Sequence, residues 1–135
     1  MNTKKFLSGL STIAESIPRL YGVKIVSAIT IKNNVISIGQ PSLKTHPLQA
    51  KYARNQKSIF LHAEIDAIQK ALRIITPSEL EKATLYICRI KYINHQPWYG
   101  NSCPCLGCRR AIEAFQLAKV IYTLDSPTLE WEVLK

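Results

Sequence analysis

Residues 62–74 read HAEIDAIQKALRI, residues 83–93 ATLYICRIKYI and residues 102–108 SCPCLGC. In the first stretch Ala63, Ala67, Ala71 and Ile74 share one stripe, so it predicts a helix from His62 to Ile74, with Pro77 and Ser78 just beyond its end. The second alternates well enough for a strand, and the third opens a segment with helical spacing from Cys105 to Leu117. Toward the C-terminus, Val120–Leu124 reads as a strand, Asp125-Ser126-Pro127 as a turn and Leu129–Leu134 as a last strand. Only ten residues follow Asp125, too few for the crossover helix that a parallel neighbour requires, so an antiparallel C-terminal hairpin is expected. Toward the N-terminus, Phe6, Leu7, Leu10, Ile13, Ala14 and Ile17 line one face of a helix spanning Lys4–Ile17, which Pro18 stops. Val23–Ile31 and Val35–Gly39 form a hairpin around Asn33-Asn34, and Gln40–Ser58, with two prolines and five basic residues, reads as a long basic loop. The order α, β, β, α, β, α, β, β predicts an α/β protein with one mixed five-stranded sheet between helical layers.

A chain of 135 residues supports one domain, 1–135, with a real core. Apolar residues make up 47% and charged residues 20%, which excludes disorder and a disulfide knot. The net charge is +9, and it is lopsided: residues 1–61 hold nine bases and one acid, Glu15, whereas residues 62–135 hold nine bases and eight acids. Such a field attracts polyanions, so nucleic acid and phosphorylated small molecules rise among the partners, although a solubilising surface accounts for the same charge. No run approaches the ~18 apolar residues of a membrane span, and Met1–Leu20 does not read as a signal peptide. Three of the four cysteines, Cys103, Cys105 and Cys108, fall within six residues, too close for loop-closing disulfides. Reduced thiols holding a metal in a cytoplasmic setting are expected.

His62-Ala63-Glu64 and Pro104-Cys105-Leu106-Gly107-Cys108 each fall at a predicted helix start. Two thiolates three apart on a first turn grip one metal ion, and an imidazole from a neighbouring helix completes the nitrogen and sulfur set that zinc prefers. Three protein ligands leave one position for a water made acidic by the metal, the mark of a catalytic site. Glu64, two residues from His62, is placed to shuttle a proton rather than to bind metal. A structural Cys3His site that adds Cys103 is the alternative, but it leaves Glu64 without a role. A redox pair of cysteines needs no His-x-Glu, Cys88 reads as a buried small hydrophobe, and His46 and His95 read as loop residues. Arg109 and Arg110 either screen thiolate charge, reach a phosphate or form a solvated helix face.

The pair of motifs, H-x-E followed by P-C-x-x-C, is the signature of zinc nucleobase deaminases. On these residues, with the preceding hairpin, ATLYI and AKVIYT, the chain resembles the cytidine deaminase superfamily along most of its length. The resemblance implies the three-layer α/β/α fold, one Zn2+ per chain held by His62, Cys105 and Cys108, and hydrolytic deamination with Glu64 carrying the proton to the ring nitrogen and the leaving ammonia. It further implies that the backbone N–H of Ala63 meets the base carbonyl and the backbone carbonyl of Cys103 the exocyclic amine. The loop Lys91–Asn101 borders the substrate pocket in that family, so Trp98 and Tyr99 either stack on a base or cover the core or a subunit contact.

The short ending resembles free-cytidine and blasticidin-type deaminases, usually compact oligomers, so a homodimer or homotetramer is expected. HAEIDAI and TLYI look more like the deoxycytidylate side. Relatives commonly end the second strand with Gly-x-Asn, whereas here Gly39 is followed by Gln40 and Pro41. Either Gln40 substitutes for the asparagine, or recognition comes from the basic loop at Lys44-Thr45-His46. The expected substrate is a cytosine nucleoside or nucleotide. Single-stranded DNA or RNA, with adenine behind cytosine as target, is the second class, and a non-catalytic zinc-stabilised nucleic-acid-binding module the third.

Overall fold

The computed structural model describes residues 2–17, 24–52 and 60–134. Helix α1 (Thr3–Ser16) is followed by strands β1 (Lys24–Ile31), β2 (Asn34–Gly39) and β3 (Ser42–Thr45), helix α2 (Pro47–Tyr52) and strand β4 (Phe60–Leu61). Helices α3 (Ala63–Ala71) and α4 (Pro77–Leu80) lead to β5 (Thr84–Ile93) and β6 (Gln96–Gly100). Helix α5 (Leu106–Ala114) and strands β7 (Lys119–Thr123) and β8 (Trp131–Val133) complete the chain.

The main sheet is mixed and runs β2-β1-β5-β7-β8. Only the β5–β7 pair is parallel, and β8 returns antiparallel to β7 through Ile121↔Val133, as the short ending requires. The sheet holds six strands rather than the expected five, because β6 pairs with the second half of β5 from Arg89↔Gly100 to Ile93↔Gln96. The sequence alone reads these residues as loop, and the pairing makes them strand. Pro97, which lacks an N–H, is tolerated because a strand paired on one side can leave that position without a ladder bond. Asn94 and His95, at φ 51° and 66°, close the turn between the two strands.

Alternation along the central strands separates two cores. Val26, Ala28, Tyr86, Cys88 and Ile90 pack against Leu7, Leu10 and Ala14 of α1. Ile29, Leu85, Ile87, Val120 and Tyr122 face the opposite way, among Ile65, Ile68 and Ala71 of α3 and Ala111 and Ile112 of α5. The sheet is thus covered on both sides, the three-layer arrangement expected. Cys88 is fully buried, as read from its strand.

The segment 40–58 is less irregular than its composition suggests. Strand β3 pairs with β4 at Ser42↔Leu61 and Thr45↔Phe60, and α2 begins with Pro47 in the first turn, where its missing N–H is not needed. The His46 Nδ1 accepts the Leu48 N–H at 3.1 Å, so this histidine caps α2. Residues 53–58 of the expected loop, Val23 of the expected first strand and Pro18 lie outside the described residues. α3 ends at Ala71 instead of Ile74, and Ile74 is 67% exposed, because the turn after Ala71 carries it off the apolar stripe. α5 likewise ends at Ala114, three residues before Leu117, where Gln116 adopts φ 56°. Among the described residues no helix is long and apolar enough to cross a membrane.

Candidate metal centre

Two of the expected ligands are helix N-cap residues. His62 precedes α3 and Cys105 precedes α5, both in extended backbone, and neither spends its side chain on capping. Cys108 sits in the first turn of α5. Helices start where they do because Glu64 and Asp66 favour the first turn of α3, and Pro104 rigidifies the approach to α5.

These starts bring three ligating atoms together. The Nδ1 of His62 lies 3.6 Å from the Cys105 Sγ and 3.4 Å from the Cys108 Sγ, and all three atoms fall within 4.8 Å of one another. A tetrahedral zinc with metal–sulfur and metal–nitrogen distances of ~2.3 and ~2.0 Å requires a nitrogen–sulfur separation of about 3.5 Å. The donor set and its spacing therefore fit one Zn2+. Cys103 is outside this group, and its thiol accepts from the Arg109 Nη2 at 3.0 Å, so the Cys3His alternative has no geometric support.

The electrostatics suit a cation. A hydrogen bond from the Cys108 thiol, aided by His62, holds the Cys105 thiol down to about 3, against burial. The Cys108 thiol is pushed well up by the hydrogen bond it donates to Cys105, by burial and by Glu64. His62 is raised by its hydrogen bond to Cys105, against burial, with the Glu64 charge adding to the rise. Cys105 thus offers a thiolate directly, whereas the Cys108 thiol holds a proton that a metal displaces. Glu64 is only 5% exposed, and burial pushes its carboxyl upward despite the nearby imidazole. Burial thus favours the protonated form of this carboxyl relative to an exposed glutamate.

Serine hydroxyls and one glycine fix α3. Ser27 and Ser37 donate to the carbonyls of Ala63 and Ala67 at 2.6 and 2.7 Å, both buried. Gly39 lies so close to the helix that an added Cβ would stand 2.2 Å from the Ala63 oxygen. Asp66 accepts the Gln40 N–H at 3.0 Å and pairs with Lys70, which ties the end of β2 to the same turn that carries Glu64. The loop before α5 is held as firmly. Asp125 accepts the Asn101 N–H, the buried Ser102 bonds with Thr123 and Ile87, and Asn101 Oδ1 accepts the Cys103 N–H. Arg109, though exposed, folds back so that its Nε donates to the Pro104 carbonyl at 3.2 Å.

The expected substrate-side residues divide. Ala63 is buried beside Glu64, and Cys103 borders the two thiols in the chain. Gln40 is exposed at the end of β2, and Lys44 is exposed on β3. By its pairing with Lys91, Trp98 is half-buried on the sheet side that α3 and α5 cover. Tyr99 faces the other way and packs into the α1 core, which favours its core reading. Three residues carried no sequence signal. Ser27 and Ser37 read as ordinary strand positions, and Gln49 lies on α2, in the stretch expected to be loop. The Gln49 Oε1 accepts the His62 N–H at 3.0 Å.

The chain belongs to the family described as the cytidine and deoxycytidylate deaminase zinc-binding region, whose model matches residues 4–124. Among solved structures it is similar to the guanine deaminase from Bacillus subtilis, at 25% identity and a TM-score of 0.61. That match covers 92% of this chain and 65% of the other, so the present chain spans less than two thirds of its neighbour's length. No curated protein sequence matches the chain significantly.

Proposed function

We propose that this protein is a zinc-dependent hydrolytic deaminase that converts cytosine to uracil in a free nucleoside or nucleotide and releases ammonia. The observation that carries this reading is the placement of the buried Glu64 two residues after His62, whose Nδ1 lies 3.4–3.6 Å from two thiols. His62, Cys105 and Cys108 hold the ion. Zinc, when bound, makes a water acidic enough to act as a nucleophile near neutral pH.

Every other part belongs to the chain. Glu64 accepts one proton from the attacking water and delivers it to the ring nitrogen, then carries the second proton, from the hydroxyl newly formed on the ring carbon, to the amine, which leaves as ammonia, so no net proton is stored. The N–H of Ala63 holds the base carbonyl, while Ser27 fixes that residue from the carbonyl side. The Cys103 carbonyl receives the exocyclic amine, in a loop that Asn101 and Arg109 immobilise. Gln40 and Lys44 meet the sugar or phosphate, and Trp98 borders the base. Pro41 stands where the family's asparagine is common, so sugar recognition rests on its neighbours. The chain is expected to act in the cytoplasm as a homodimer or homotetramer.

A second reading, single-stranded DNA or RNA as substrate, draws on the +8 charge of residues 1–61. Its likeness to a guanine deaminase adds free guanine to the candidates. Turnover of cytidine, deoxycytidine, their monophosphates, guanine and cytosine-containing oligonucleotides, measured across a salt series, separates the classes. A free nucleoside or nucleotide turned over with a shallow salt slope is expected; turnover confined to oligonucleotides and falling steeply with salt establishes the polymer reading instead.

A further inference from the structure

Gln49 is 1% exposed, and nothing in the proposed chemistry uses it. A buried amide is retained only where its polar atoms are matched, and here the Oε1 accepts the backbone N–H of His62 at 3.0 Å. That N–H belongs to a helix N-cap residue, so it lies outside the hydrogen-bond ladder of α3. On its other side the same residue gives its carbonyl to the Asp66 N–H at 2.9 Å. Just upstream, Leu61 is paired across β3 and β4. With Gln49 added, the backbone that carries the imidazole is held from three directions.

Helix α2 is suited to this task because it touches both ligand-bearing helices. Gln49 reaches the start of α3, and the Tyr52 ring meets Phe115, the C-cap residue of α5, edge-on at 6.3 Å between centroids. We infer that Gln49 is a positioning residue of the metal centre, whose amide oxygen sets the His62 backbone so that Nδ1 faces the Cys105 and Cys108 thiols before metal arrives. The inference rests on the zinc reading given above. Partners that orient a metal ligand typically change affinity by about 10–100-fold when removed.

The test is zinc affinity, by competition with a chromophoric chelator, for the wild-type chain, Gln49→Leu and Gln49→Glu. Gln49→Leu fills the space without an acceptor and should bind zinc about 10–100-fold more weakly, whereas Gln49→Glu keeps an oxygen at the same reach and should stay within about threefold of wild type. A packing role alone predicts no rescue by glutamate. Unchanged affinity in Gln49→Leu, or an equal loss in both variants, overturns the inference. Hydrogen exchange of the His62 amide in the wild-type zinc-loaded protein gives a second readout that needs no variant. Strong protection is expected, and free exchange overturns the inference even if Gln49→Leu does not fold. A wild-type chain that binds no zinc overturns the metal reading itself, an outcome distinct from wild-type and variant chains binding equally.

Discussion

Gly39→Ala is the smallest change that tests how the sheet holds the candidate site. The new Cβ would lie 2.2 Å from the Ala63 oxygen, 2.4 Å from the Ala67 nitrogen and 2.9 Å from the Ala67 Cα. All three are backbone atoms of α3, so no side chain can rotate away. Restoring ordinary contact of about 3.5 Å demands that helix and strand separate by about 1 Å. That movement stretches the Ser27 and Ser37 bonds to the Ala63 and Ala67 carbonyls, and it carries His62 and Glu64 with it. Overpacking of this kind costs about 1–3 kcal/mol, and weakening two buried hydrogen bonds adds about 1 kcal/mol each, so a loss of about 3–5 kcal/mol is expected. For a chain of this size each kcal/mol lowers the melting temperature by about 3–4 °C, which gives a drop of about 10–20 °C. The assay is thermal unfolding of the zinc-loaded protein by circular dichroism, paired with chelator competition for zinc. A variant that melts within about 2 °C of wild type and binds zinc equally well would refute the close approach of β2 to α3.

Ser27→Ala removes one buried 2.6 Å hydrogen bond and leaves the Ala63 carbonyl without its hydroxyl. It should cost about 1–2 kcal/mol in urea unfolding, with an unchanged denaturant slope. Thiol chemistry gives a pH prediction for the metal-stripped chain. With Cys105 held down to about 3, its thiolate is complete above that value and is lost only as pH falls through it. Iodoacetamide labelling of Cys105, followed by peptide mass analysis, should therefore change little between about pH 5 and 8, while an ordinary thiol accelerates about tenfold per unit over that range. Cys88, pushed up to about 12 by burial, should stay unlabelled in the folded protein. Bound zinc should suppress labelling of Cys105, and labelling that survives zinc loading contradicts the ligand assignment.

The three candidate ligands are legible in the sequence because their identity is set by chemistry and by two local signals. His62 and Cys105 each precede a run with helical spacing, and helix starts point side chains of adjacent elements toward a common space. The layers followed from the order of helices and strands, and in the structure the odd and even positions of Leu85–Ile90 face the two helical layers. Short elements were not legible. β6 contains Pro97 and Gly100, and its strand character comes from pairing with β5 rather than from propensity. α2 has six residues, too few to show a periodic stripe, and tertiary contacts to α5 stabilise it. Gln49 was hidden with it. The role of Gly39 was half visible: Gly39-Gln40-Pro41 stood out as a departure in substrate recognition, whereas the steric demand on residue 39 appears only when β2 and α3 are placed together. Tyr99 shows the limit of reading an aromatic pair from sequence, since a strand sends adjacent residues to opposite faces.

The central claim is that Glu64 moves the proton in a zinc-dependent deamination. Its most direct test is mass analysis of product, with ammonia release, from zinc-loaded wild-type protein and Glu64→Gln offered the cytosine nucleosides and nucleotides. The account predicts a product heavier by about one dalton from at least one of them, and a rate lower by about 10²–10⁴-fold in Glu64→Gln with one zinc still bound per chain. A variant that turns over as fast as wild type, or a zinc-loaded wild-type chain that deaminates none of these substrates, would contradict it.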